Sequence, residues 1–324
     1  MKIELSEYEI FRIPSWRPFE ISSGFTVNLN TAPYLDIVLT DRCQSRCNFC
    51  VARLIHDKKT SCLEEQKDGI RYAIEEMGVN EVLLLGGEPT IHPQLFEYVD
   101  WLKQFNLDKI CMTTNGLRMA TQPAFAEKVF SSGITHLNIS VMNLRASEAM
   151  SISNAAECVA IRDLARFWLL AEKDGVKIRI NNNVFRGNND NLDSLENFYW
   201  AVEGYCHSVK FSPLLKTDRF SVINTVNDWI KRHILSDQEY DRLWANVIDR
   251  FSDEIFISNP NVLGFVEYAM ILMETPLILN YNQHNRFLKE AVEKNRYNSV
   301  KMLPTGDLSL SWNREEPDYF IKVG

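Results

Sequence analysis

From residue 35 onward, short apolar runs alternate with amphipathic stretches, a rhythm that a series of parallel β/α units accommodates and few other folds do. The expected strands are 35–40, 80–85, 108–114, 134–142, 176–184 and 207–215, with helices over about 63–77, 93–105, 121–132, 154–173 and 191–204. Six strands with helical crossovers predict an α/β chain folded as a partial (β/α)6 TIM-type barrel, whose ligands sit at the C-terminal strand ends. Strand parity agrees. In His136-Leu137-Asn138-Ile139-Ser140-Val141 the polar and aliphatic residues take opposite parities, and Lys177-Ile178-Arg179-Ile180-Asn181 repeats the pattern. A strand buried on both faces would be continuously apolar, so the lumen is expected to hold something polar.

After residue 216 the rhythm changes. Ser236 and Glu239 have capping-box spacing and predict a helix to about Arg250. A strand-like Glu254–Ser258, a helix near 262–275 and a β-hairpin of Val300–Leu303 with Asp307–Trp312 follow. The expected organisation is a cover segment (1–34), the barrel (35–215) and a C-terminal α+β extension that closes it (216–324). No internal repeat or low-complexity linker divides the chain.

Directly after the first strand, Cys43, Cys47 and Cys50 stand in C-x3-C-x2-C spacing. Four thiolates would complete the coordination of a [4Fe–4S] cluster; three leave one iron open. A structural zinc site normally draws four ligands from two C-x2-C-type pairs, and no second pair exists here. Gly86-Gly87-Glu88 ends the second strand, where glycines permit close backbone approach and Glu88 adds a carboxylate. Thr113-Thr114-Asn115-Gly116 closes the third, read equally well as a turn or as a ligand contact. Asn181, Asn182 and Asn183 are consecutive in a strand, where Asn is depleted, which favours function over packing.

With the aromatic Phe49 just before Cys50 and Gly-Gly-Glu one helix downstream, residues 34–215 resemble the radical SAM superfamily, and its molybdopterin-cyclase and viperin branches in particular. The resemblance implies a [4Fe–4S] cluster on Cys43, Cys47 and Cys50 whose open iron chelates the amino and carboxylate groups of S-adenosylmethionine (SAM). It implies cofactor contacts from Phe49, Gly86, Gly87, Glu88, Thr114, Asn115, Ser140, Asn181 and Asn183. It also implies a 5′-deoxyadenosyl radical that abstracts hydrogen from substrate, and an electron donor such as flavodoxin or ferredoxin. One departure concerns the arginine that many relatives place soon after the fourth strand. Here Asn143–Asn154 offers only Arg145, and Arg179 or Lys210 would have to substitute.

Arg179, Arg186, Lys210, Lys216 and Arg219 group near the last two strand ends, and Arg179 and Lys210 are the candidates for an anionic substrate. His56 and His92 lie near motifs but read as surface or capping residues. Cys62, Cys111, Cys158 and Cys206 show no metal-ligand spacing; Cys111 in a strand and Cys158 in a helix read as small core residues. No cysteine follows Cys206, so a single cluster is expected.

The formal charge of −8 argues against a partner such as long nucleic acid. The N-terminus lacks a secretory signal and no stretch reaches the roughly 20 apolar residues of a membrane span, so a cytoplasmic chain is expected. Three function classes remain. One is hydrogen abstraction from a small, anionic, nucleotide-like metabolite; Ser236–Tyr240 and Val266-Glu267-Tyr268 are similar to the C-terminal region of the viperin branch. Another is a peptide-modifying maturase, since Leu303–Trp312 resembles a hairpin that in those relatives ends on a cluster cysteine. The last is a non-catalytic protein that binds cluster and SAM.

Overall fold

The computed structural model describes residues 16–21, 23–50, 53, 57–214, 225–251, 255–260, 265–272, 275–282, 295–311 and 317–323. The described residues begin with an antiparallel pair, β1 (Trp16–Glu20) on the first part of a long β2 (Thr26–Thr40). There follow α1 (Leu63–Glu75), β3 (Glu81–Gly86), α2 (Leu95–Leu102), β4 (Lys109–Thr114), α3 (Leu117–Thr121), α4 (Pro123–Phe130) and β5 (His136–Ser140). Next come α5 (Ala146–Ser153), α6 (Ile161–Asp174), β6 (Lys177–Val184), α7 (Leu192–Val202) and β7 (Ser208–Pro213). Strands β2 to β7 lie side by side in chain order, all parallel, as the six expected barrel strands.

The remaining elements are α8 (Thr225–His233), α9 (Asp237–Arg250), β8 (Ile255–Pro260), β9 (Phe265–Leu272), β10 (Thr275–Asn282), β11 (Arg296–Met302), β12 (Leu308–Ser309) and β13 (Phe320–Ile321). They extend both sheet edges rather than closing a ring. β10 adds parallel to β7 and carries β9 and β8 antiparallel; β11 adds parallel to β2 and carries β12 and β13.

The parity read from sequence sorts the two faces. Leu35, Ile37, Leu39, Val82, Leu84, Met112, Leu137, Ile139, Ile180 and Phe211 are buried in one core with Ile70, Tyr98, Phe167 and Phe198 of the helices. Alternate positions carry Asp36, Glu81, Lys109, Cys111, His136, Asn138, Ser140, Arg179, Asn181, Lys210 and Ser212, which therefore line the lumen. Cys111 belongs to this polar face and accepts a hydrogen bond from Asn138 Nδ2 at 3.3 Å, so it is not the core packing residue expected.

Other expectations are corrected. The helix expected over 154–173 starts only at Ile161, as α6, where the Asp163 carboxylate takes the Ala160 N–H at 3.0 Å; before it stands an unexpected helix, α5, which ends where Asn154 turns left-handed (φ 44°). Cys158 lies in the connecting loop, not in a helix. The helix expected near 262–275 is strand β9, paired on both sides by β8 and β10. The capping box forms, with Glu239 N–H on Ser236 Oγ at 3.2 Å and Ser236 N–H on Glu239 Oε2 at 2.7 Å. The hairpin forms at Lys301↔Ser309 and Met302↔Leu308, while Trp312 lies outside the described residues.

At the β2–β11 seam, Lys301 and Asp36 are register partners and both are buried. Lys301 Nζ donates to Ser299 O at 3.1 Å, Ser299 Oγ at 2.8 Å and Leu310 O at 3.1 Å. Burial draws the Asp36 carboxyl up to about 7, against the attraction of Lys301. Removing one member leaves the other charge stranded, which typically costs about 3–5 kcal/mol. We therefore expect Lys301→Met to be strongly destabilising in denaturant melts, and Asp36→Asn with Lys301→Met to recover much of the loss. Equal losses in the single and double variants would disprove the coupling.

Glu239 gives a pH signature. The Ser236 N–H and the Arg186 guanidinium hold its carboxyl at about 2, below the ordinary 4.5. A depressed carboxyl stabilises fully above its unfolded value and loses that contribution as pH falls from 4.5 toward 2. Thermal midpoints of Glu239→Gln should accordingly fall less steeply than wild type across that window; parallel profiles would refute this.

Candidate active site

Beyond Thr40 the chain crosses the C-terminal strand ends as residues 41–50, pinned on three sides. On the first, Asp41 N–H donates to Lys59 O at 2.8 Å while Asp41 Oδ2 accepts Lys59 N–H at 2.9 Å. On the second, Gly87 N–H donates to Thr40 O at 2.6 Å and Glu88 N–H to Arg42 O at 2.9 Å. Gly86 has φ +142°, and a Cβ there would strike the Thr40 carbonyl; one on Gly87 would strike that of Arg42. The close approach that this glycine pair allows is thus backbone on backbone. On the third side, Arg46 N–H and Asn48 N–H donate to Ser153 O at 2.9 Å and Ile152 O at 3.0 Å, satisfying carbonyls at the end of α5.

The three thiols of this loop are half-buried. Burial pushes Cys43 up to about 11; it pushes Cys47 up to about 12, with Cys50 and Cys43 adding repulsion. Neighbouring buried thiols become stable thiolates only with a cation, which displaces their protons on binding. Among the described residues no three His, Cys, Asp or Glu side chains converge on a single metal ion. A cluster makes no such demand, because each thiolate takes a different iron.

Glu88 is 1% exposed and joins the loops. Its Oε1 accepts Thr90 N–H at 3.1 Å, Thr90 Oγ1–H at 2.6 Å and Thr114 Oγ1–H at 2.6 Å, and its Oε2 accepts Asn115 N–H at 2.8 Å. Burial raises its pKa and these hydrogen bonds oppose the rise. Its carboxylate and the Thr114 hydroxyl are therefore engaged with protein partners, as is the Asn115 side chain with Cys43, Ser45, Gln44 and Leu117. Phe49 packs on Phe185 and Trp229, with ring centroids at 6.1 and 6.2 Å, and so ties the cysteine loop to α8.

Ser140, Asn181 and Asn183 share the lumen face below this loop. Asn182 points the other way, donating to Val141 O at 2.8 Å and Met142 O at 2.9 Å, so its role is structural. Asn181 Oδ1 and Arg179 Nε are buried with no hydrogen-bond partner. Lys210, half-buried, is the register partner of Asn181. Lower in the lumen Lys109 pairs with Glu81 at 3.1 Å. Burial, and then the Lys109 charge, draws His136 down to about 4.

Other candidates separate from this group. Arg186 grips Glu239 at 3.0 and 3.1 Å, and Arg145 pairs with Glu148 at 2.8 Å on the outside. His92 is buried, with Nε2 on Ser61 O at 3.0 Å and Nδ1 accepting Gln94 N–H at 3.1 Å, a capping role. His56, Lys216 and Arg219 lie outside the described residues. Gln44, Ser45, Thr90, Phe185 and Trp229 complete the site without having been singled out. Thr90 carries a signal, two residues past Glu88; Trp229 carries none.

Residues 37–146 match the family model described as Radical SAM superfamily. Those residues are thus a radical SAM superfamily domain. It is 29% identical over 240 residues to the GTP 3′,8-cyclase of Syntrophomonas wolfei subsp. wolfei, covering 71% of this chain and 66% of that protein. It is 30% identical over 172 residues to the GTP 3′,8-cyclase of Marinobacter nauticus, covering 52% and 48%. The chain thus spans less than two thirds of the length of many of the cyclases it matches, and about two thirds of the first. In fold it is similar to Streptococcus suis SuiB bound to S-adenosylmethionine, with TM-score 0.62, 15% identity, and coverage of 88% of this chain and 61% of that one.

The residues fit the two radical SAM cofactors. The three thiols would hold the [4Fe–4S] cluster, and the lumen below offers the orphaned Asn181 Oδ1 to a ligand donor.

Glu88→Ala would leave Thr114 Oγ1 and the Asn115 N–H without their acceptor, at about 1–3 kcal/mol for each buried group left unpaired. We expect the thermal midpoint and SAM affinity to fall together. Lost SAM binding at an unchanged midpoint would instead make Glu88 a direct ligand contact.

Proposed function

We propose that this radical SAM chain is an enzyme that reductively cleaves SAM and abstracts a hydrogen atom from a small, anionic, nucleotide-like metabolite in the barrel lumen. The observation that carries it is the pair of orphaned atoms on one face of β6. Arg179 Nε is a buried donor and Asn181 Oδ1, two residues on, a buried acceptor. Buried polar atoms left unpaired are costly, so ligands that supply both partners are favoured. The ribose of SAM carries hydroxyls for the asparagine, and a phosphorylated substrate carries acceptor oxygens for the arginine. Lys210 on the same face, beside Asn181 in the β6–β7 ladder, adds positive charge.

When bound, the cluster and SAM supply the 5′-deoxyadenosyl radical chemistry. The chain's own work is positional. The loop of residues 41–50 presents three thiols, and the Glu88 bonds fix the neighbouring strand ends. The names of the relatives, GTP 3′,8-cyclases, support a nucleotide substrate. A flavodoxin or ferredoxin is the proposed electron donor and the cytoplasm the proposed compartment, where thiols stay reduced. Among the described residues no helix is long and apolar enough to cross a membrane.

A second reading is a peptide substrate. SuiB also stands among the fold neighbours in complex with its precursor peptide SuiA, at TM-score 0.60 and 15% identity, over 87% of this chain.

The deciding measurement is 5′-deoxyadenosine by mass spectrometry from anaerobically reconstituted protein offered nucleotide and peptide pools separately. Nucleotides should stimulate its formation, and Arg179→Ala should lower the stimulated rate more than the uncoupled one. Stimulation by peptides alone, indifferent to Arg179→Ala, would replace the nucleotide reading. No 5′-deoxyadenosine under strong reductant would leave a cofactor-binding protein without turnover.

A further inference from the structure

Asn115, at the end of β4, makes a contact that neither the turn reading nor the SAM-contact reading anticipates. Its side-chain amide reaches Cys43, with Nδ2 3.6 Å from Sγ, and also lies 3.3 Å from Ser45 Oγ. The orientation of that amide is decided by its other end. Oδ1 accepts the Leu117 backbone N–H at 3.0 Å, and a backbone N–H can only donate, so the atom facing it must be oxygen. Gln44 Nε2 donates to the same oxygen at 3.2 Å. The backbone of Asn115 is held in turn by its N–H on Glu88 Oε2 at 2.8 Å. The NH2 group is thereby locked toward sulfur. Cys43 also receives the Ser45 backbone N–H at 3.3 Å, so two donors converge on one thiol.

Hydrogen bonds to the sulfurs of an iron–sulfur cluster are among the determinants of its potential, because they stabilise the reduced form, which carries more negative charge. The buried Glu88 carboxylate acts in the opposite sense on the same thiol, adding negative charge nearby. Asn115 stands between the two, its N–H on the carboxylate and its amide on the sulfur.

We propose that Asn115 is a positioning residue that sets the reduction potential of the cluster through an N–H···Sγ hydrogen bond to Cys43. This rests on the radical SAM reading, and its test separates the two. Wild type, Asn115→Ala, Asn115→Asp and Ser45→Ala are reconstituted anaerobically and assayed for iron, thermal midpoint and cluster midpoint potential, by EPR-monitored titration without SAM. Omitting SAM removes any effect of Asn115 as a SAM contact.

Asn115→Asp keeps an oxygen for the Leu117 N–H but loses the donor; Asn115→Ala loses both. A residue that merely capped α3 would lower the thermal midpoint in Asn115→Ala, spare it in Asn115→Asp and leave the Asn115→Ala potential unmoved; Asn115→Asp adds a charge of its own, so Asn115→Ala decides the potential. A sulfur donor should instead shift both potentials negative, lowering the equilibrium constant for reduction roughly three- to tenfold, the upper figure being about 59 mV for one electron. Ser45→Ala, which retains the backbone donor to Cys43, should keep the wild-type potential. Iron-loaded Asn115 variants with unchanged potentials would overturn the proposal. So would loss of iron from both, since a tuning donor is not needed to retain the metal. Wild type that takes up no cluster would overturn the radical SAM reading itself.

Discussion

The upper end of this barrel depends on one buried carboxylate. Glu88 takes four hydrogen bonds from neutral donors on Thr90, Thr114 and Asn115, so it binds the end of β3 to the end of β4. A carboxylate in that position favours whatever positive charge a ligand brings, and burial makes the preference strong. The Gly86-Gly87 pair before it is the companion constraint. Only residues without Cβ allow this strand end to run beneath the carbonyls of Thr40 and Arg42. Site geometry and chain geometry are therefore one requirement, met by a single tripeptide.

Much of this was legible in the sequence. The six barrel strands were, because a sheet with helices on one side and a polar lumen on the other imposes a parity that His136–Val141 and Lys177–Asn181 display directly. The cysteine loop was legible because thiol spacing is a chemical signal, and Ser236 with Glu239 because capping is local. What stayed hidden depends on distant partners. Phe265–Leu272 mixes residues that suit helix or strand, and β8 and β10 decide between them. The end of α5 turns on one left-handed asparagine, Asn154, and α6 waits until Ile161. Asn182 looked functional beside its neighbours because sequence cannot show that Val141 and Met142 present it with carbonyls.

The charge distribution has a similar division. The chain as a whole carries −8, yet its lumen face gathers Lys109, Arg179 and Lys210. Glu81 balances Lys109 there, so Arg179 and Lys210 are the further cations of that face in a chain whose net charge is negative. Burial also keeps His136 neutral, so it adds hydrogen-bonding capacity rather than further charge.

The β2–β11 seam has a consequence in time. Asn30 and Asn298 meet across it although 268 positions apart in the chain. Contacts between such remote segments form late, because the entropy of closing the intervening loop must be overcome first. The strand that delivers the cysteine loop is thus an edge strand on a nascent chain, its outer row of hydrogen-bonding groups uncovered until β11 has been synthesised. During that interval the thiols are already present beside an unfinished sheet. Maturation of this protein is consequently a matter of sequence in the temporal sense: insertion of a metal group before the seam closes and insertion after it are physically different events.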